Sequence, residues 1–145
     1  MSRLVGLSIR QPWVDLILRK QKTIELREWS VTKRGPIALH AAWAIDWKAA
    51  ALFGYARPFE LPRGQIVGRA EIVNGLELDR QSWYRLVDQH CVIHPLSRGV
   101  YAAFLENVER LPNPIRLKGK QYFFSLPDSV IEEVDRQLQI SLDNK

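Results

Sequence analysis

The segment "QIVGRAEIV", residues 65–73, is rich in β-branched side chains and alternates in polarity, which suits a long strand. A strand of that length carries a row of backbone donors and acceptors that must find partners, so the chain has to build a sheet around it. Five other segments qualify. "RLVGLSI" is short and apolar and reads as a strand ending near Ser8. In "KTIELREW", Ile24 and Leu26 point one way while Thr23, Glu25, Arg27 and Trp29 point the other. "RGPIALHAAW" opens on a Gly-Pro turn signal and continues as a strand from Ile37 to Ala41, with His40 near its end. "GVYAAFLENVERL" reads as strand although its second half is also compatible with helix. "LPNPIRLKGKQYFFSL" reads as a proline-rich turn, a hairpin with Gly119 at its tip, and a final aromatic strand from Tyr122 to Leu126.

Short helices fill the intervals. Pro12 suits a first helical position, and Trp13, Leu16 and Ile17 form the apolar face of a helix that ends around Lys20 or Gln21. "AIDWKAAALFGY" is helical, with Gly54 as its stop, and "LDRQSWYRLVDQH" is a short helix with an Asp at its N-cap. The terminal "DSVIEEVDRQLQI" places Val130, Ile131, Val134 and Leu138 on one stripe. About six strands with intervening short helices make an α+β fold, a small closed or nearly closed β-barrel with helices at its rim.

The 145 residues fit one domain, 1–145, with enough chain to bury a core. Neither a signal-like segment nor an apolar run of membrane-spanning length is present, so the expectation is a soluble intracellular protein, cytoplasmic if prokaryotic, with no membrane partner. The single cysteine, Cys91, excludes an internal disulfide. "HCVIH" offers His90, Cys91 and His94, fewer ligands than the four a structural zinc site takes, so it reads as loop histidines beside a buried cysteine, with no metal and no cofactor.

A formal net charge of +5 and a pI near 9.6 suggest an anionic partner. The charge is uneven: Met1 to Arg34 holds eight Lys or Arg against three acids, whereas Asp128 to Lys145 holds five acids and two bases. Arg10, Lys20, Lys22 and Arg27 belong to the early basic region. A second cluster, Arg116, Lys118 and Lys120, either borders the same surface or keeps a turn soluble. Lys22, Glu25 and Arg27 admit two readings: a solvated strand face with a weak ion pair, or the polar lining of a cleft to which Ser8, Gln11, Trp13, Trp29 and His40 are brought by the ends of neighbouring elements.

Four blocks in order, "LSIRQPWVDLILRKQKTIELREW", "RGPIALHAA", "GQIVGRAEIV" and "NPIRLKGKQYFFSL", resemble the activating signal cointegrator homology (ASCH) family, a branch of the PUA-like β-barrels. The resemblance runs from about Leu4 to Leu126 and is closest to the ASCH domain of the transcriptional coactivator that names the family. The family signature Gly-x-Lys-x-x-Glu-x-Arg falls on Lys20, Lys22, Glu25 and Arg27, with lysine in place of the glycine. If that turn requires a positive φ, the lysine costs about 1 kcal/mol relative to glycine.

The resemblance implies a cleft lined by this motif that binds RNA or DNA, or a nucleotide-like ligand. Ser8, Arg10, Gln11, Lys20, Lys22, Glu25, Arg27, Trp29 and His40 are then the candidate binding residues. Arg27 would offer a planar donor fork and Lys22 a point charge, with Glu25 orienting them or accepting from an exocyclic amine. Trp13 or Trp29 would stack on an unpaired base, and Trp29 is favoured because the helix pattern turns Trp13 to the core. The alternative is a hydrolase acting on RNA or a modified nucleoside, with Lys22 and Glu25 catalytic. In N4-acetylcytidine amidohydrolases similar to this family a lysine activates a threonine, whose position here is Glu25, so Glu25 would have to act as base for water. A ribonuclease would pair Glu25 or His40 as base with Lys22.

Overall fold

A computed structural model describes residues 3–94 and 99–143. Six strands, β1 (Val5–Gln11), β2 (Ile24–Arg27), β3 (Gly35–Ile45), β4 (Gln65–Glu77), β5 (Tyr101–Arg116) and β6 (Phe123–Ser125), form one mixed sheet in the order β2-β5-β4-β3-β1-β6. The β1–β3 pair is parallel and the other pairs are antiparallel. Five helices accompany them among the described residues: α1 (Trp13–Leu18), α2 (Trp47–Leu52), α3 (Arg80–Arg85), α4 (Val87–His90) and α5 (Asp128–Asp143). The α+β architecture of six strands with short helices is therefore present, and no helix of the described residues is long and apolar enough to cross a membrane.

Both faces of the sheet are covered. On β3, Ile37, Leu39 and Ala41 pack into a core with Val14 and Ile17 of α1, while Ala38 faces the opposite way into a second core with Val130, Val134 and Leu138 of α5. That double burial explains why "IALHA" is almost continuously apolar. A third cluster puts Trp83 and Leu86 against Ile24 and Ala102. Asp79 starts α3 with a capping box in which its side chain and Ser82 satisfy each other's backbone N–H groups.

The sheet curls because its long strands are irregular. Register breaks occur between Leu39 and His40 on β3 and at three places along β4 and β5, and each such bulge bends the strand and increases its twist. In the largest, Ile66 pairs with Ile115 and Gly68 with Arg110, so Leu111, Pro112, Asn113 and Pro114 lie opposite Val67 alone. The prolines, which cannot donate to a ladder, sit where no ladder is required. Gln137 of α5 closes the gap: its Oε1 accepts from Asn113 N–H at 3.0 Å and its Nε2 donates to Asn113 C=O at 2.8 Å. The curl brings the sheet's two edges together, with the Trp29 ring after β2 lying 5.2 Å from the Phe123 ring of β6.

Several boundaries differ from the sequence reading. β1 runs to Gln11 and β3 to Ile45, where the two pair again after a register break that leaves Ala42, Trp43 and Ala44 opposite Arg10. The expected hairpin at Gly119 does not form. β5 continues through the prolines to Arg116, and β6 crosses to pair with β1. A residue hydrogen-bonded to a strand more than a hundred positions earlier cannot be identified by turn signals. α1 stops at Leu18, and Lys20 has φ 65°. Its N–H bonds to Ile17 C=O at 2.9 Å and the Gln21 N–H to Leu16 C=O at 3.0 Å, the pair of bonds of a Schellman termination. The positive φ considered for that turn is thus the one it adopts.

Lys20→Gly should raise stability by about 0.5–1 kcal/mol, since the left-handed conformation penalises a Cβ more than glycine's extra unfolded freedom offsets. Urea denaturation midpoints measure it, and an unchanged or lower midpoint would contradict the assignment of strain to Lys20. Gly68→Ala should act in the other direction by about 1–3 kcal/mol. Its Cβ would lie 2.5 Å from Leu18 Cδ2 and 2.6 Å from the Glu109 carbonyl oxygen, and that backbone atom has nowhere to go.

Candidate nucleic-acid interface

The Schellman turn after α1 reverses the chain so that Lys22 points inward, and β2 then presents Glu25 and Arg27 two residues apart on one face. The three side chains form a chain of charge: Glu25 Oε1 lies 3.7 Å from Lys22 Nζ and Glu25 Oε2 lies 3.1 Å from Arg27 Nη1. Lys22 also donates to the His90 carbonyl at 2.6 Å, and its ammonium sits 4.9 Å from the centroid of the Trp13 ring. Lys22 was expected at a solvent-accessible position. It is 1% exposed, the largest fully buried side chain described. Burial pushes its pKa down, and the Glu25 carboxylate opposes that shift.

Above this floor is a cleft of about 430 Å³. Ser8 and Arg10 come from β1, Trp13 from α1, Glu25 and Arg27 from β2, and Asp46, Trp83 and His94 complete the wall. Arg10 stands at the mouth with a side chain 58% exposed, 4.0 Å from Asp46. Asp46 caps α2 by accepting from Ala49 N–H and also accepts from the Trp13 indole N–H at 2.9 Å, which fixes the ring plane. No sequence signal marked Asp46, Trp83 or His94 for the cleft, because they arrive from three separate parts of the chain.

The other candidate residues divide by place. Trp13, assigned to the core by helical spacing, is half-buried and lines the cleft. Trp29 does not line it: its ring packs edge-on against Tyr122 and Phe123 and beneath the Arg27 guanidinium. Gln11 is buried and structural, its Nε2 donating to Pro62 C=O and its Oε1 accepting from Asp15 N–H. Lys20 is exposed beside a different depression, bordered by Thr23 and Leu105 to Val108.

His40 is fully buried behind Ser8, in the middle of β3. Its Nε2 lies 2.6 Å from Leu117 C=O, so Nε2 carries the proton and Nδ1 accepts from the Ser8 hydroxyl at 2.9 Å. The reading of "HCVIH" is reversed in part. His90 is the buried group, donating through Nε2 to Trp83 C=O and accepting at Nδ1 from Val92 N–H, and Cys91 is half-exposed. With both ring nitrogens engaged by backbone, His90 has no lone pair to offer a metal.

Burial lowers the pKa of both His40 and His90, against the opposing pull of the backbone carbonyl each one faces. The folded state therefore binds fewer protons than the unfolded state below about pH 6.5, so stability should fall as pH drops through that value towards 5. Denaturant midpoints at pH 7.5 and 5.5 test this, and His40→Gln should shrink the difference between them.

A family profile for the ASCH domain matches residues 7–118. Among solved structures, the ASCH protein of Zymomonas mobilis superposes with a TM-score of 0.67 at 14% identity, covering 92% of this chain and 94% of that one. A tyrosine-to-phenylalanine variant of the same bacterial protein gives 0.66 at 14% identity, covering 93% and 98%. No curated protein sequence matches the chain. At that identity the structural likeness establishes the PUA-like fold, and the profile match over most of the length establishes descent: this chain belongs to the ASCH domain family.

Proposed function

We propose that this ASCH domain is a nucleic-acid-binding module that takes an unpaired base of RNA into the cleft floored by Lys22, Glu25 and Arg27. The observation that carries the reading is the order of groups on that floor, cation, carboxylate, cation, under a tryptophan wall in a cleft of about 430 Å³. A nucleobase edge is a short row of acceptors and donors on a flat ring, and a cavity of this size with a few fixed polar groups suits such a ligand. Glu25 accepts from an exocyclic amine, the partly exposed Arg27 fork donates to a carbonyl or phosphate, and Trp13 offers its ring face. Lys22 contributes its field from below and holds Glu25 in place. Arg10 at the mouth meets the backbone phosphate.

Binding is favoured over hydrolysis catalysed by Lys22 and Glu25 because the Lys22 ammonium is already committed to His90 C=O and Glu25 and is not displayed towards the cleft. The burial of Lys22 also changes what mutation should do. Removing it would strip a buried carboxylate of one partner and show first as lost stability, whereas the exposed Arg10 can be replaced without that cost.

Fluorescence anisotropy with a single-stranded oligoribonucleotide at 50 and 200 mM salt should show affinity falling steeply with salt. Arg10→Ala should flatten the salt slope by about 0.7. Arg27→Ala, with circular dichroism to show that it folds despite the loss of Glu25's partner, should weaken binding by about 1.5–3 kcal/mol, the size of a lost hydrogen bond to a charged group. Absence of binding to RNA and DNA at either salt concentration would sink the proposal.

A further inference from the structure

Beside the cleft, across Ser8 and Arg27, which line both, lies a second and wider depression of about 900 Å³. Its described lining carries five cationic side chains, Arg27, Arg63, Arg116, Lys118 and Lys120, and no carboxylate. Some arginines elsewhere on this protein are offset by nearby acids, as at Arg57 with Glu60 and Arg136 with Glu133. Arg27 is offset by Glu25 on the side of the cleft, and the four remaining cations, gathered with no acid in the described lining, generate a positive potential that favours an anion.

The groove also holds a stacking surface. Trp43, on the outward end of β3, is 70% exposed, the most exposed large hydrophobic residue described. Its ring is not loose: the Arg63 guanidinium lies 4.3 Å from the ring centroid and donates to the Trp43 C=O at 3.1 Å. One ring face is thereby occupied, and the exposure leaves the remainder of the ring to solvent.

The opposite bank is equally well held. Leu117 N–H donates to Gly64 C=O at 3.1 Å, Leu117 C=O accepts from His40 Nε2, and Gly119 is packed so tightly that a Cβ there would lie 2.6 Å from the His40 ring. With residue 117 turned inward, Arg116, Lys118 and Lys120 alternate out of the loop as exposed residues. The cluster that the sequence left divided between a ligand surface and a soluble turn is one bank of a preformed groove.

We propose that this groove is the track for the nucleotides that flank the base held in the cleft, with their phosphates on Arg116, Lys118 and Lys120 and a neighbouring base stacked on Trp43. The proposal rests on the reading of the cleft as a base-binding site. It extends that reading from one nucleotide to a single-stranded segment, for which cations along the backbone and an aromatic platform are the recurrent means of recognition. An acidic peptide would use the cations and have no use for Trp43. Because Arg27 belongs to both cavities, the strand passes from one to the other at that side chain.

The test compares uridine monophosphate, cytidine monophosphate and single-stranded oligoribonucleotides of two to ten residues as ligands of the wild-type protein, Lys118→Glu/Lys120→Glu and Trp43→Ala. All three positions are exposed, and circular dichroism checks that the variants fold. Wild-type affinity should rise with length up to the span of the groove. The double variant should lose tenfold or more for the longer oligomers and flatten their salt slope by about 1.4. Trp43→Ala should lose about fivefold or more with the slope unchanged. Neither variant should change mononucleotide affinity. If the oligomers bind wild type and both variants alike, the groove is not the track while the cleft reading stands. If poly-glutamate displaces the oligomers and Trp43→Ala has no effect, the groove is a site for acidic polypeptides. If wild type binds no nucleotide of any length, the cleft reading fails and the groove proposal fails with it.

Discussion

The contact on which this architecture turns is the burial of the Lys22 ammonium. Removing a cation from water costs several kcal/mol unless partners replace the solvent, and breaking such an arrangement costs about 3–5 kcal/mol. Here the partners come from three directions: Glu25 from β2, the His90 carbonyl from the end of α4, and the Trp13 ring from α1. None of these elements can shift without leaving a charge unsatisfied. Lys22 thus ties the helix before it, the strand after it and a helix nearly seventy residues away into one unit, and the cleft is the space left above that unit.

The same logic of satisfied backbone runs through the curled sheet. A flat six-stranded sheet would leave β2 and β6 far apart, and the cleft between β1 and β2 would not exist. The bulges on β3, β4 and β5 supply the bend, and each creates unpaired backbone groups that must be answered. Gln137 answers at Asn113 in the largest bulge, and just past the end of β5 the His40 ring, itself held by Ser8, answers the Leu117 carbonyl. Buried polar side chains that look like candidate catalytic groups in a list of residue types are here occupied in holding irregular backbone.

That occupation sets the character of the surface. With His40, His90 and Gln11 committed inward, the polar and aromatic groups that line the cavities include Arg10, Glu25, the exposed part of Arg27, the Trp13 and Trp43 rings and the outer loop cations. These are groups suited to recognition: fixed charge, a donor fork and aromatic planes.

Local pattern determined a good deal of this protein. Alternation in "QIVGRAEIV" and "KTIELREW", the apolar stripe of α5 and the Asp79 cap each specify their element through neighbours a few residues away, which is the range at which sequence periodicity acts. The motif Lys22, Glu25, Arg27 lies on a stretch of chain that lines a cleft. Tertiary structure alone decided that Lys22 is buried while Arg10 is exposed, that Trp13 and not Trp29 lines the cleft, and that the Arg116 to Lys120 loop faces Arg63 and Trp43 across a groove. The partner of Lys22 is a backbone carbonyl 68 residues away, and that of Trp29 is the ring of Phe123 on the far edge of the sheet. Such contacts depend on how bulged strands curl, and a carbonyl oxygen looks the same at every position of a sequence.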